Sequence, residues 1–468
     1  MTGQRSKPLL LLLLLSAAAC ATYHPLPLDK KAEAQALAPP DMGRVTLEAA
    51  QIHHPLLKPV HLDLAKGLTP DELAVVAVLT NPQLRAIRDQ RGLAHAQVIQ
   101  AGLLPNPVAS YGQDKPTGGN DQGTVTAYTT GIGFDLTSLL TYSLRKEAAK
   151  SQAQAVDLDV AWQEWQVAQA ARMAAYRLLA LEEQLPLARK GMVEARRSLD
   201  AMTSAAKSGA VSQAEEASAR AAFEQARQTY LLVSEGETRA RQDLNQMLGL
   251  PPGSKPPLRE GATLPDWRDI PDEQLLVQGL ADRRLDLLAF KKGYESQDTR
   301  LRIAIRSQFP NIGIDVGHAR DTSNIVTTGY GIAISLPIFD RNQGRIAYER
   351  ATRRQMYDEY QSRLFDARAQ VAQIMARLDS VHRQLRTAEG TLASLLGAAK
   401  GYETALSTGA VDLISAQNAQ QAYISQGMSV AALKAERADL GIALELASGE
   451  YLPADGMGTA ASGEGRKP

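Results

Sequence analysis

The sequence predicts a mixed α and β membrane protein made of two similar halves, with duplicated long α-helical hairpins and four β-strands per chain. Three observations carry that expectation. Landmarks recur at a spacing of about 200 residues, each half holds a 67-residue stretch of helical character, and short runs alternate apolar residues with small or polar ones. Composition agrees. The 51 Lys+Arg balance 51 Asp+Glu over 468 residues, which excludes a nucleic-acid reader built on a basic face. Aromatics are only 5% of a chain rich in small residues, a composition that suits extended helices packed closely together. One cysteine, Cys20, leaves no intramolecular disulfide and no Cys-based zinc site.

Residues 1–19 have the layout of an export signal: Arg5 and Lys7, an apolar run from Leu9 to Leu15, then small residues up to Cys20. The run is too short to span a bilayer. Two readings of the cut stand. Ala17-Ala18-Ala19-Cys20 is a lipobox whose cysteine is acylated, or Ala17 and Ala19 form an ordinary cleavage site beside a free thiol. Ala21 is not the acidic residue that retains lipoproteins in the inner membrane, so an outer-membrane destination is expected. Residues 20–68 read as an acylated, extended arm. Its His53, His54 and His61 lack nearby Cys or spaced carboxylates, which favours a structural or surface role over a metal centre.

The first repeat, 69–250, opens with a helix over 69–103, where Thr69 can cap and Pro70 suits the first helical position. Strands follow over 108–113 and 124–136, then a long helix over 141–207, a turn at Gly209 and a shorter helix over 212–248. After a Pro-rich connecting band, 251–271, the second repeat, 272–452, has the same order: helix 272–308, strands 311–319 and 325–336, long helix 341–407, short helix 411–446. Residues 453–468 read as a disordered tail. Lys207-Ser208-Gly209-Ala210-Val211-Ser212 matches Ser407-Thr408-Gly409-Ala410-Val411-Asp412, Thr130-Gly131-Ile132-Gly133 matches Thr328-Gly329-Tyr330-Gly331, and Leu104-Pro105-Asn106 matches Phe309-Pro310-Asn311.

A 67-residue helix is on the order of 100 Å long, and the helix after each turn covers roughly 55 Å of it. The remainder is expected to be lined by the helix that precedes the strands, which gives one long hairpin per half. Leu158, Trp162, Trp165, Ala168, Met173, Tyr176, Leu179 and Leu185 are not confined to one stripe, Leu185 falling opposite Leu158 and Tyr176, so either burial on several sides or a plain antiparallel coiled coil accounts for them. In the strands, Ile312, Ile314 and Val316 alternate with Gly313, Asp315 and Gly317, as a barrel facing lipid and water requires. A soluble half-buried hairpin gives the same pattern. Four strands cannot close a barrel, so spanning strands would force oligomerisation.

The duplicated layout, the Gly-Ala-Val tips at Gly209 and Gly409, and the run from Ser335 through Pro337, Phe339 and Asn342 to Arg345 resemble the TolC-like outer-membrane efflux protein family, or outer membrane factors. The last run looks most like the cation and heavy-metal efflux branch. The resemblance covers nearly all of 69–450. It implies a homotrimer in which four strands per chain build a 12-stranded transmembrane β-barrel and the hairpins form a trimeric α-barrel through the periplasm. The tips Gly209, Ala210, Val211, Gly409, Ala410 and Val411 would dock a periplasmic adaptor, which joins the duct to an inner-membrane pump of the RND type.

Acidic residues after each tip often narrow such tunnels, and Glu215 matches one of these positions. Ser415 and Asn418 stand at the corresponding places of the second tip, and Val411 stands where a basic residue is usual. A ring of Glu215 would attract cations; the alternative is a glutamate that favours the positive end of its own helix. Gly131 and Gly133 lie inside a strand rather than opening a helix, so they do not signal nucleotide binding. The expectation is a passive, non-enzymatic duct without cofactor or metal, anchored by lipid and embedded in the outer membrane. Its rival is a lipid-anchored periplasmic coiled-coil scaffold with no pore.

Overall fold

A computed structural model of the chain describes residues 21–119, 122–267 and 270–452. The expected export signal with Cys20, and the expected tail, lie outside the described residues. Contacts divide the chain after Pro40. The first unit holds one described helix, α1 (Lys30–Leu37), capped by the Asp29 carboxylate, which accepts from the Lys31 and Ala32 amides. Everything that follows belongs to the second unit. There α2 (Met42–Ala49) is capped by Asp41 and inserts Val45 into a core cluster with Leu68 and Leu73. The arm is therefore not extended throughout, since two Asp N-caps start helices within it.

The helix expected over 69–103 is two helices. α3 (Pro70–Thr80) begins with a reciprocal capping box between Thr69 and Glu72, and residues Leu73 to Val78 are all buried. Asn81 ends α3 and starts α4 (Pro82–Ala101): its side chain accepts from the Gln83 amide and donates to the Met247 carbonyl. Pro82, with no N–H to give, suits the first position of a new helix better than the interior of a continuous one. In the second repeat the helix expected over 272–308 is likewise broken. It comprises α7 (Glu273–Val277), α8 (Leu280–Arg283) and α9 (Leu285–Arg306), with Gly279 left-handed between the first two.

The sheet is formed by β1 (Val108–Asp114), β2 (Ala127–Asp135), β3 (Ile312–Arg320) and β4 (Val326–Ile334), antiparallel and in sequence order. β1 and β3 fall within one residue of the expected bounds, whereas β2 and β4, with nine residues each, are shorter than the expected 124–136 and 325–336 because their flanking residues lie outside the ladder. β2 leads into α5 (Thr137–Lys207, 71 residues), followed by α6 (Gln213–Met247). β4 leads into α10 (Gln343–Ser407, 65 residues), followed by α11 (Leu413–Ser448).

α5 is the central member. It packs on α6 towards the tip and on α3 and α4 towards the sheet, with α9 and α11 as further neighbours. Twenty-three of its residues are buried, against eight in α10, which packs on α11, α9 and the short α7 and α8. Burial of α5 on several sides follows, and the plain coiled coil does not hold for it. Three apolar clusters meet along its middle, around Leu178, Tyr176 and Trp165. The connecting segment seals one of them: Trp267 is fully buried against Gly441 of α11, where an added Cβ would lie 2.1 Å from the indole. A parallel bridge between Leu68 and Leu258 joins the arm to the same segment.

Candidate functional site: the open sheet, the tips and the buried ion cluster

Register decides which sheet residues share a face. Ala109, Ile132, Val316 and Tyr330 form one row across the four strands, and Phe134, Ile314 and Ile332 lie in the next row on the same side. The opposite side carries Ser110, Gly131, Gly317 and Gly329, then Val108, Gly133, Asp315 and Gly331. One face is apolar and aromatic, the other small and polar. Ile132, Val316, Tyr330 and Ile332 are each 59% exposed or more, a contiguous apolar patch with no cover in the single chain. The polar face is tight: a Cβ on Gly331 would lie 2.5 Å from the Asp315 carboxylate, and one on Gly131 2.9 Å from the Ser110 hydroxyl. Among the described residues β1 pairs only with β2 and β4 only with β3, so both sheet edges keep unpaired backbone groups there. Among the described residues no helix is long and apolar enough to cross a membrane.

Below the sheet, the run at the exit of β4 ties itself into a turn. Asp340 accepts from the Asn342 amide, Gln343 donates to the Phe339 carbonyl, and Asn342 donates to the Ala304 carbonyl at the end of α9. Asn342, with φ 60°, is one of the few residue types that enter the left-handed region readily. Sequence similarity in this run thus reflects a structural corner between sheet and hairpin.

The two tips have the same backbone design. Gly209 and Gly409 have φ of 75° and 74°, and the amides of Ala210 and Ala410 return to the carbonyls of Ala205 and Ala405 at 2.9 and 2.8 Å. Val211 packs with Leu199, Met202 and Ala219, and Leu413 of the second hairpin joins the same cluster. The caps differ. At the first tip Ser212 is the N-cap, and Glu215 reaches back to its amide (2.7 Å) and hydroxyl (2.8 Å). These hydrogen bonds hold the exposed Glu215 carboxyl below its ordinary pKa. At the second tip Asp412 is the N-cap and accepts from the amide and hydroxyl of Ser415, both at 2.8 Å, which lowers its pKa for the same reason. The carboxylate has moved three residues, from the third helical position to the cap, so the acidic group of the second tip is Asp412 rather than Ser415 or Asn418. An Asp directly before the first helical residue, three positions after the turn glycine, is the sequence signal that could have found it. Glu215 and Asn418 line one groove of about 310 Å³ between α6 and α11, floored by Gly191 and Ala195 of α5; Ser415 does not line it.

A buried ion cluster joins the two repeats. Arg172 of α5 lies with its Nε 2.6 Å from Asp71 of α3 and bonds Glu445 of α11, which also accepts from Gln169 and the Leu452 amide. Tyr451 covers the guanidinium at 5.2 Å and packs edge-on against Trp165. Burial of two carboxylates against one cation raises the pKa of both Glu445 and Asp71. Burial also pushes the Tyr176 hydroxyl up to about 12. Burial opposes the charge of Arg172, but Glu445 and Asp71 outweigh it and its pKa is raised.

The three arm histidines are not brought together as ligands. His54 is packed inside: its Nδ1 accepts from the Leu56 and Leu57 amides and its Nε2 meets the Ala161 carbonyl at 2.9 Å, so Nε2 carries the proton. His53 and His61 are exposed. Burial lowers the pKa of His54 and keeps it neutral. No group of three or more metal-type ligands occurs among the described residues.

Long hairpins under a sheet with one lipid-like face, one watery face and two open edges define the class of outer-membrane channel proteins. The family model of outer membrane efflux proteins matches residues 73–250 and 276–450, and the chain belongs to that family. It is an outer-membrane efflux channel component, a passive duct and not an enzyme. No curated protein matches the sequence. Its fold is similar to that of CusC, with 18% identity, a TM-score of 0.67 and coverage of 86% of this chain and 99% of that one. The Campylobacter jejuni outer membrane channel CmeC shares 14% identity, with a TM-score of 0.69 and coverage of 86% and 91%. The open-state Neisseria gonorrhoeae channel MtrE shares 16%, with a TM-score of 0.63 and coverage of 86% and 96%.

Proposed function

We propose that three copies of this chain close their sheets edge to edge into a 12-stranded barrel and extend their hairpins as a trimeric α-barrel across the periplasm. The duct takes cargo from an inner-membrane pump of the RND type through a periplasmic adaptor seated on the tips at Gly209–Val211 and Gly409–Val411. The single observation that carries this reading is the sheet with two unpaired edges and faces of opposite polarity, because hydrocarbon tolerates no open edge. The outward α10 supports it: Tyr348 and Phe365, 68% and 70% exposed, have no cover in one chain and suit contact with a neighbouring copy. Acylation of Cys20 would add a lipid anchor.

The test is purification of the mature protein in detergent, followed by mass determination and planar-bilayer recording. The expected result is a heat-stable trimer that conducts ions and, after crosslinking from Ala210 or Ala410, captures the cognate adaptor. A water-soluble monomer that needs no amphiphile overturns the proposal and leaves the coiled-coil scaffold.

A further inference from the structure

The charged residues of the sheet are sorted by face. Within the four strands the small-residue face carries Asp114, Asp135 and Asp315, while His318 and Arg320 lie on the apolar face, near its loop end. Neither of these two side chains turns towards the other side: His318 bonds Thr328, and Arg320 donates to the Thr126 carbonyl while stacking 5.0 Å from the Tyr128 ring centre. Asp315 sits at mid-strand between Gly133 and Gly331, whose missing side chains leave its carboxylate lying along the sheet.

We propose that the small-residue face is a charge filter in its own right, separate from the tips: in the closed barrel Asp114, Asp135 and Asp315 make the lumen wall purely anionic and favour cations over anions. The inference rests on the trimeric barrel proposed above. The three carboxylates are spread from one end of the strands to the other and form no ion-binding site; they act through the field. Twelve strands about 4.8 Å apart and tilted by about 40° enclose roughly 24 Å between opposite backbones. The wall is then about 12 Å from the axis, close to the Debye length of about 10 Å at 0.1 M salt and well beyond the ~3 Å at 1 M. Asp315 has most effect, because it lies away from both mouths and Asp135 is partly engaged in holding the Thr137 amide at the start of α5.

The experiment measures the K+ over Cl− permeability ratio of the full-length mature trimer in planar bilayers near 0.1 M KCl. The tip carboxylates are neutralised first, by Glu215→Gln with Asp412→Asn, so that the remaining preference originates elsewhere. This background is expected to stay cation-selective, and adding Asp315→Asn should lower the ratio about twofold. Gly329→Lys, where an added Cβ meets no atom within 4 Å, places a cation on the same face and should invert the preference. Near 1 M KCl these differences should vanish through screening. A background that no longer discriminates, or a ratio unmoved by both Asp315→Asn and Gly329→Lys, overturns the filter and leaves the channel intact. A stable trimer that conducts nothing overturns the barrel reading, and the filter with it.

Discussion

Replacing Arg172 with Met should destabilise the protein more than almost any other single change, and the loss should depend on pH. Arg172 is 1% exposed and faces Glu445, which is fully buried, and the partly covered Asp71. Removing one partner of such a pair leaves carboxylate charge uncompensated inside the protein, at a cost of about 3–5 kcal/mol. The unfolding entropy is about 2.1 cal/mol/K per residue, roughly 1 kcal/mol per K for a chain of this length, so the melting midpoint should fall by about 3–5 °C. Glu445 and Asp71 already have pKa values raised by burial, and loss of the guanidinium raises them further. Between the unfolded value near 4 and the raised folded value, the folded state holds protons that the unfolded state has released. The resulting stability is complete below about pH 4 and is lost as pH rises through the folded value. The deficit of Arg172→Met should therefore be largest at pH 8 and shrink towards pH 5, and Glu445→Gln added to it should restore more than half of the loss. Circular dichroism melts of the detergent-solubilised protein read both effects. A variant that melts with the wild type at pH 8, or a deficit independent of pH, refutes the account of the cluster.

Three further outcomes are expected. Gly441→Ala should destabilise by about 1–3 kcal/mol despite its gain in helix propensity, because the new methyl overlaps the fully buried Trp267; limited proteolysis should then cut the connecting segment faster. Val316→Lys should block membrane assembly at a cost of about 2–4 kcal/mol while Thr129→Lys, on the other face, is tolerated, and the recovered trimer measures the difference. Glu215→Ala should loosen the start of α6, read as faster amide exchange in its first turn, because the carboxylate completes the cap at Ser212.

Much of the architecture was legible because it is written in local chemistry. Left-handed glycines stop the long helices, and alternation marks the strands. What escaped depended on competition between local and distant contacts. Pro82 and Pro186 both fall within stretches that read as helix, yet only the first divides one. Asn81 offers a capping side chain at Pro82, whereas Leu185 offers none at Pro186, and packing on the neighbours carries α5 through the missing bond. Asp29 and Asp41 announce the helices of the arm, but the surrounding prolines obscured them. The candidate site was legible by half. Glu215 was visible in the sequence, while its engagement with Ser212 and the shift of the second carboxylate to Asp412 required the geometry of both caps. The pairing of Arg172 with residues 71 and 445 joins positions a hundred or more residues apart, and no periodicity reports it.

The interchange of Ser212/Glu215 for Asp412/Ser415 means that the two ends of the molecule's internal duplication are alike in shape and unlike in chemistry. A mouth assembled from three copies would present six knuckles of near-identical outline but of two alternating kinds, one closed by a glutamate that reaches back to its cap and the other by an aspartate that is the cap. Any binding partner that approaches with sixfold regularity would meet two distinct seats in turn, and could tell one from the other.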